Sequence, residues 1–415
     1  MVKRKKIAVI GAGVSGLAAA KAFVERGHDV VGFERGPELG GVWEPSRSYS
    51  GVCTQSDKDL YAYTDKPMPA DYPRWPSGGQ VRNYLGNYAS DHDLQRLYSF
   101  NTNVISAKPK KNGNWSVSIE VDGKQKTMTF DFVAICTGQF SDAKRLDLPG
   151  RSAFTNGGGT LMHSHEYTDP TLAKDKRVVV IGGSKSATDI AVSAWKNGAK
   201  SVSMVYRRDV WRVPYKVLGL INFKHLVFMR LQEHFFGGWS QSPAIKAISK
   251  ITKPVGWANF RALELVLKAQ LRLKKFDMVP TDRIEDVVAC TFPVVTPGFY
   301  EGISKGNINP VRNSPASLGK EKLTLADGRT LDADLVIEAV GWEQNIPFLP
   351  KDARNRLIAP DGQFRLYRHA VNPDLPGLGL VGFNTSFATI LTSELIANWL
   401  VRFADGQLID QPDDD

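Results

Sequence analysis

The feature that most constrains this chain is a unit that occurs twice. Residues 6–10 (KIAVI) form the short β-branched run of a buried parallel strand. Gly11, Ala12, Gly13, Val14, Ser15 and Gly16 follow. A helical pattern then runs to Arg26, Gly27 stops it, and residues 28–33 make a second strand with Glu34 at its end. Strand, glycine turn, helix, strand and acid, in that order, are a dinucleotide-binding unit. Gly11 permits the tight turn, Gly13 lets the backbone approach a pyrophosphate, and Gly16 lets helix and strand pack closely. The first helical turn, with Val14 and Ser15, offers unpaired N–H groups and a positive dipole end to phosphates. Glu34 accepts from ribose hydroxyls and repels a 2′-phosphate, so this site suits FAD or NAD rather than NADP.

The unit recurs after residues 177–181 (RVVVI). Gly182, Gly183, Ser184, Lys185, Ser186 and Ala187 precede a helix and a strand through Tyr206. The turn is degenerate. Ser184 stands at the pyrophosphate approach, and Lys185 at the helix start is expected to pair with a phosphate. The end of the strand is more telling. Arg207 and Arg208 stand 25 and 26 residues after Gly182, where Glu34 stands 23 after Gly11. Guanidinium groups suit a 2′-phosphate by charge and by fork geometry. The pair therefore reads as FAD first and NADPH second. Residues 39–43 (LGGVW) add another glycine turn, whose Gly41, Val42 and Trp43 approach the first cofactor, with Arg35 beside the acid.

Two acid-flanked apolar strands, 130–138 and 332–341, carry the chain out of the two units. One ends in Thr137 and Gly138, the other in Gly341. Near the C-terminus, residues 379–382 form a short strand. A polar loop from Asn384 to Thr392 and an amphipathic helix over 393–404 return the chain to the first site, near the isoalloxazine. The fold class is α/β: two Rossmann-like dinucleotide-binding domains, the FAD domain discontinuous and the NADPH domain inserted. The expected boundaries are 1–150 and 331–415 for the first and 151–330 for the second. A helical insertion around 210–300 lies on the substrate side.

The chain has 415 residues, room for two or three domains. Its net charge of +10 is spread along the sequence, and no basic-aromatic module points to nucleic acid. Cys53, Cys136 and Cys290 are far apart and form no CxxC pair, which argues against a disulfide framework, a zinc site and a dithiol redox centre. No metal site is expected, and a reducing cytoplasm fits. The basic start leads straight into a strand, so no signal peptide is expected. No run of 18 uncharged apolar residues reads as a membrane span. The apolar stretch 217–236 carries Lys224, Arg230 and Glu233 and reads as a buried or pocket-lining helix, with shallow contact with a membrane as the alternative.

Taken together, these residues resemble the flavin-containing monooxygenases over about residues 5–405. The likeness rests on GAGVSG (11–16), Glu34 with LGGVW (39–43), and the run from Tyr49 through TQSDKDLY to DYP (71–73). It continues through VRNYLGNYA (81–89), CTG (136–138), HSHEY (163–167), GGSKSATDIA (182–191) and VIEAVGW (336–342). Gly159, His163 and Tyr167 keep the spacing of the family fingerprint; its Phe does not, since residue 157 is Gly and the nearest is Phe154. Thr168, Asp169 and Pro170 follow Tyr167, where the related Baeyer–Villiger enzymes have Trp-Pro. Gln55 stands where the family often has Asn, and Val340 replaces a usual Thr. No membrane-anchoring tail like that of animal members is expected, and the resemblance points to a soluble form.

The resemblance implies a reaction. NADPH reduces FAD, and O2 adds to give a C4a-hydroperoxide. An amine nitrogen or sulfide sulfur of a small-molecule substrate then takes one oxygen atom. It also implies roles. Gln55, with Ser56, would hydrogen-bond the oxygen adduct; His163 and Tyr167 would orient NADP⁺ or couple the domains; Asn384 would face the flavin. A homodimer is compatible with it. Two other reactions stay open: a Baeyer–Villiger oxygenation of ketones, and an uncoupled NADPH oxidase that releases hydrogen peroxide.

Overall fold

The structure, a computed structural model, describes residues 3–223, 225, 243–287, 292–384 and 386–408. The chain divides into two compact units. The first holds Met1–Ser48, Cys53–Lys144 and Gly341–Asp415; the second holds Tyr49–Val52 and Arg145–Val340.

The first unit is built on a five-stranded parallel sheet of order β20-β7-β1-β2-β3. These strands are β1 (Lys6–Ile10), β2 (Asp29–Phe33), β3 (Tyr98–Ser99), β7 (Phe132–Ile135) and β20 (Leu378–Leu380). An antiparallel sheet, β4 (Asn103–Pro109), β5 (Trp115–Val121) and β6 (Lys124–Phe130), adds Trp115, Val117 and Phe130 to a core shared with Ala8, Ile10, Val133 and Ile135. β8 (Asp142–Ala143) pairs with β19 (Trp342–Glu343). Helix α1 (Val14–Glu25) follows β1, and α2 (Gly78–Asp91) starts with a capping box between Ser77 and Gln80.

The second unit repeats the plan, with order β14-β11-β10-β18-β9, again all parallel. Its strands are β9 (Thr160–His163), β10 (Arg177–Ile181), β11 (Ser201–Tyr206), β14 (Ile308–Arg312) and β18 (Leu335–Glu338). Val178 and Val180 enter one core cluster while Val179 and Ile181 enter another. Both sheet faces are thus covered, which is why β10 reads as an unbroken apolar run. Helices α3 (Arg151–Asn156), α4 (Lys185–Lys196), α5 (Pro243–Gln270), α6 (Ile284–Val287) and α7 (Phe299–Ser304) complete the unit with two antiparallel pieces. One is the hairpin β12 (Lys216–Val217) with β13 (Ile221–Asn222); the other is β15 (Pro315–Gly319), β16 (Lys322–Leu325) and β17 (Thr330–Asp332). In the first unit, α8 (Lys351–Leu357) and α9 (Thr389–Ala404) follow β19.

Two expectations shift. The units divide after Lys144 and after Val340, not at 150 and 330. Residues 335–338 belong to the second unit because β18 is hydrogen-bonded between β10 and β9. Residues 216–222 form a hairpin rather than the start of a helix, pinned where Gln270 of α5 bonds the Leu218 amide and the Lys216 carbonyl. Most of 224–236, and Cys290, lie outside the described residues. Among the described residues no helix is long and apolar enough to cross a membrane.

Candidate cofactor and active site

In the first unit the turn after β1 is held by backbone. The Gly11 amide donates to Phe33 and the Cys136 amide to Ile10. Gly11 has φ +107°, and a Cβ on Gly16 would sit 1.8 Å from the Gly11 carbonyl oxygen. Any side chain at 16 would therefore push α1 off the turn. The Gly40 amide donates to Ala12, which lays the 39–43 turn against the first, and Gly13 and Gly41 face each other. Trp43 donates its indole N–H to Tyr61 at 3.0 Å, while Val42 is exposed. Gly13 is the N-cap of α1; no side chain caps the helix and no acidic residue stands in its first turn, which leaves N–H groups there suited to an anion.

Glu34 is buried and already accepts from the Ala12 amide at 2.7 Å and the Gly36 amide at 2.8 Å. These bonds fix the carboxylate beside the glycine turn and leave lone pairs for a ribose. Arg35 reaches the Ser141 carbonyl and Arg47 the Phe140 carbonyl. Burial, then the neighbouring Arg35, lowers the Arg47 pKa. Ser15 is hydrogen-bonded to Ser393 of α9 at 2.9 Å. Thr137 Oγ1 and Asn384 Oδ1 are buried with no hydrogen-bond partner among the described residues. Buried orphans of this kind call for a ligand. The glycine cradle and these two atoms fit a bound dinucleotide.

Gln55 and Ser56 also lie in the first unit. Ser56 is buried and its hydroxyl donates to the Phe387 carbonyl, in the loop before α9 that also carries Asn384. Thr54 accompanies it, bonding the Ser56 carbonyl through Oγ1. Gln55 is half-buried between them. Ser56 thus fastens the segment that carries Gln55. Gly138 and Gly341 flank the paired β8 and β19, where the Lys144 amide donates to Gly341.

In the second unit Gly182 has φ +148°, and a Cβ there would lie 2.3 Å from the Ala339 carbonyl oxygen. Ser184 is exposed at the start of α4 and makes no side-chain capping bond; Ser186 is half-buried and Ala187 is core. Arg207 and Arg208 are exposed after β11, Arg208 with Asp282 at 3.7 Å.

Three of the expected site side chains are buried within the second unit. The Lys185 ammonium is buried, 2.5 Å from Asp189 Oδ1 and 3.2 Å from Thr296 Oγ1, rather than aimed at a phosphate. The i, i+4 spacing puts it on one helix face with the carboxylate. Tyr167 is fully buried in the core, its hydroxyl on the Pro170 carbonyl at 3.2 Å. Burial pushes its pKa up. It packs the loop down and presents no ring face to solvent. His163, at the end of β9, is also fully buried, with Nδ1 2.8 Å from His165 Nδ1. One imidazole must donate and the other accept. The His163 amide binds Glu166, whose carboxyl burial raises, but which that amide and Arg145 bring below the ordinary value.

Sequence reasoning missed Asp189, Arg212 and Glu338. Arg212 is 2% exposed, donates to the Gly183 carbonyl, and lies 5.4 Å from the Phe299 ring centroid. Glu338 is fully buried at the end of β18 and meets the Leu146 amide and Arg151. A charged residue closing an apolar strand is the signal that could have found Glu338; Arg212 had none.

Two Rossmann-like units, the first of them closed by a C-terminal return, define the class: a protein with two dinucleotide-binding folds. Residues 4–413 match the flavin-binding monooxygenase-like family, and the chain belongs to that family. It is 30% identical over 438 residues to a probable flavin-containing monooxygenase 1 of Arabidopsis thaliana, covering 96% of this chain and 82% of that one. Its fold resembles S-allyl-L-cysteine S-oxygenase from Allium sativum (TM-score 0.66, 21% identity, 99% of this chain and 79% of that one). It also resembles OTEMO in complex with FAD and NADP (TM-score 0.73, 19% identity, 98% and 85%).

Proposed function

We propose that this protein is an FAD- and NADPH-dependent monooxygenase that transfers one oxygen atom of O2 to a soft nucleophile, an amine nitrogen or a sulfide sulfur. The observation that carries this reading is opposite charge at equivalent places. The Glu34 carboxylate follows β2; Arg207 and Arg208 follow β11. A 2′-phosphate is repelled at the first and matched at the second. Family membership supports a flavin in the first unit. Bound there, the flavin would supply the redox chemistry and the activation of O2.

The chain does the rest. Backbone amides at the starts of α1 and α4 receive the two pyrophosphates. Gln55 offers its amide to the reacting oxygen, and Ser56 holds that segment in place. Tyr167 and His163 shape the loop after β9 from within the core. Substrate, O2, NADPH and a proton become oxygenated product, water and NADP⁺. Thr168, Asp169 and Pro170 after Tyr167, in place of Trp-Pro, favour amines and sulfides over ketones.

The test pairs a variant with a product assay. Replacing Arg207 and Arg208 by Ala removes two charge-assisted contacts. It should raise the KM for NADPH about 10–100-fold and leave NADH use within about twofold. The wild-type protein should incorporate one labelled atom from O2 into an amine or sulfide. Unchanged NADPH affinity in the variant overturns the second-site assignment. Ketone turnover alone would make the reaction a Baeyer–Villiger oxygenation. NADPH consumption with stoichiometric hydrogen peroxide and no product would make the protein an oxidase.

A further inference from the structure

Four residues, Tyr49–Val52, pack with the second unit although the chain on both sides of them belongs to the first. Two anchors hold this strap. The Tyr49 hydroxyl donates to Asp189 Oδ2 at 2.9 Å, and the Ser50 amide donates to the Tyr167 carbonyl at 3.1 Å. The Tyr49 ring packs against the core that contains Val178, Ala187 and Ile190. A turn from the Val52 amide to the Tyr49 carbonyl closes the strap. Gln55 follows three residues later.

Asp189 is 6% exposed, and its two oxygens do different work. Oδ2 takes the strap. Oδ1 takes Lys185 and Thr296, and Thr296 is bonded in turn to Thr188 at 2.7 Å. Lys185 is the first residue of α4, directly after Ser184 at the second glycine turn. One carboxylate therefore touches both the first turn of the dinucleotide helix and the strap that leads to Gln55.

We propose that Tyr49 is a positioning residue that reports occupancy of the second dinucleotide site to the Gln55 segment through Asp189. The inference rests on the NADPH reading of that site. A pyrophosphate at the start of α4 competes with Asp189 for the Lys185 ammonium. As the ammonium is drawn away, the buried carboxylate loses its counter-charge and depends more on its remaining hydrogen-bond donors, Tyr49 among them. The Tyr49 bond tightens and the strap is held harder. Because coupling is reciprocal, a loosened strap weakens dinucleotide binding by the same factor.

The test is hydrogen exchange of the FAD-loaded full chain, with and without saturating NADP⁺, read on peptides spanning residues 49–56. NADP⁺ binding is measured separately by calorimetry. In wild type, NADP⁺ should slow exchange there about fivefold or more, the lower end of ordinary coupling. Tyr49→Phe keeps the ring and removes the hydroxyl. It should bind NADP⁺ within about tenfold of wild type while losing most of that protection. A merely structural Tyr49 would raise exchange equally with and without NADP⁺. Equal NADP⁺ protection in the variant, or no protection in a wild-type protein that binds NADP⁺, overturns the proposal. Failure of wild type to bind NADP⁺ at all overturns the second-site reading together with it.

Discussion

At Gly16 one methyl group separates an open cradle from a blocked one. Its Cβ would lie 1.8 Å from the Gly11 carbonyl oxygen and 2.8 Å from the Gly11 carbonyl carbon. Neither atom belongs to a flexible side chain, so α1 itself must move. Gly16→Ala should therefore destabilise the fold by about 3 kcal/mol or more and yield protein without yellow colour. Urea unfolding and the flavin-to-protein absorbance ratio check both. The buried charges show a second residue-scale rule. Lys185 and Glu338 each find opposite charge within the second unit, and a buried ion left without such a partner is strongly destabilising.

At the element scale, strand ends decide how the second unit's sheet is fastened. Arg177 opens β10 and grips Asp334, just before β18, through its backbone amide, Nε and Nη2. The Arg177 hydrogen bond outweighs burial and takes the Asp334 carboxyl from its ordinary 3.8 to about 2. A carboxyl depressed in the folded state adds stability above its unfolded pKa and loses it as pH falls through the folded one. Asp334→Asn should thus cost about 1 kcal/mol at pH 7, after allowing for solvent screening of a partly exposed pair. The difference from wild type should shrink between pH 4 and pH 2. Urea midpoints measured across that range would show it; a constant gap would mean that the ionised pair is not the cause.

At the scale of the whole molecule, the two units have separate cores, one around Trp115, Phe130 and Ile135, the other around Val178, Ile190 and Ile337. A ligand stabilises the unit that binds it, by about 2.7 kcal/mol at one hundred times its Kd. Calorimetry of flavin-stripped protein should show two transitions. FAD should raise one and NADP⁺ the other. A single transition raised equally by both ligands would mean that the units unfold as one.

Much of this was written locally. The β-branched runs 6–10 and 177–181, the glycine turns after them and the charges at Glu34 and Arg207 each lie within about thirty residues of their unit. Strand, turn and helix signals act over that range. The parallel strands, the two dinucleotide folds and the family resemblance were legible for that reason. The sequence could not say that β18 inserts between β10 and β9, because strand order depends on pairing between residues 157 or more positions apart. Nor could it say that Lys185 turns to Asp189, that Tyr167 is core, or that Tyr49 crosses to the second unit. Those outcomes depend on which distant groups share a buried space. There a charge must find its partner and a hydroxyl its acceptor, and only the folded chain brings them together.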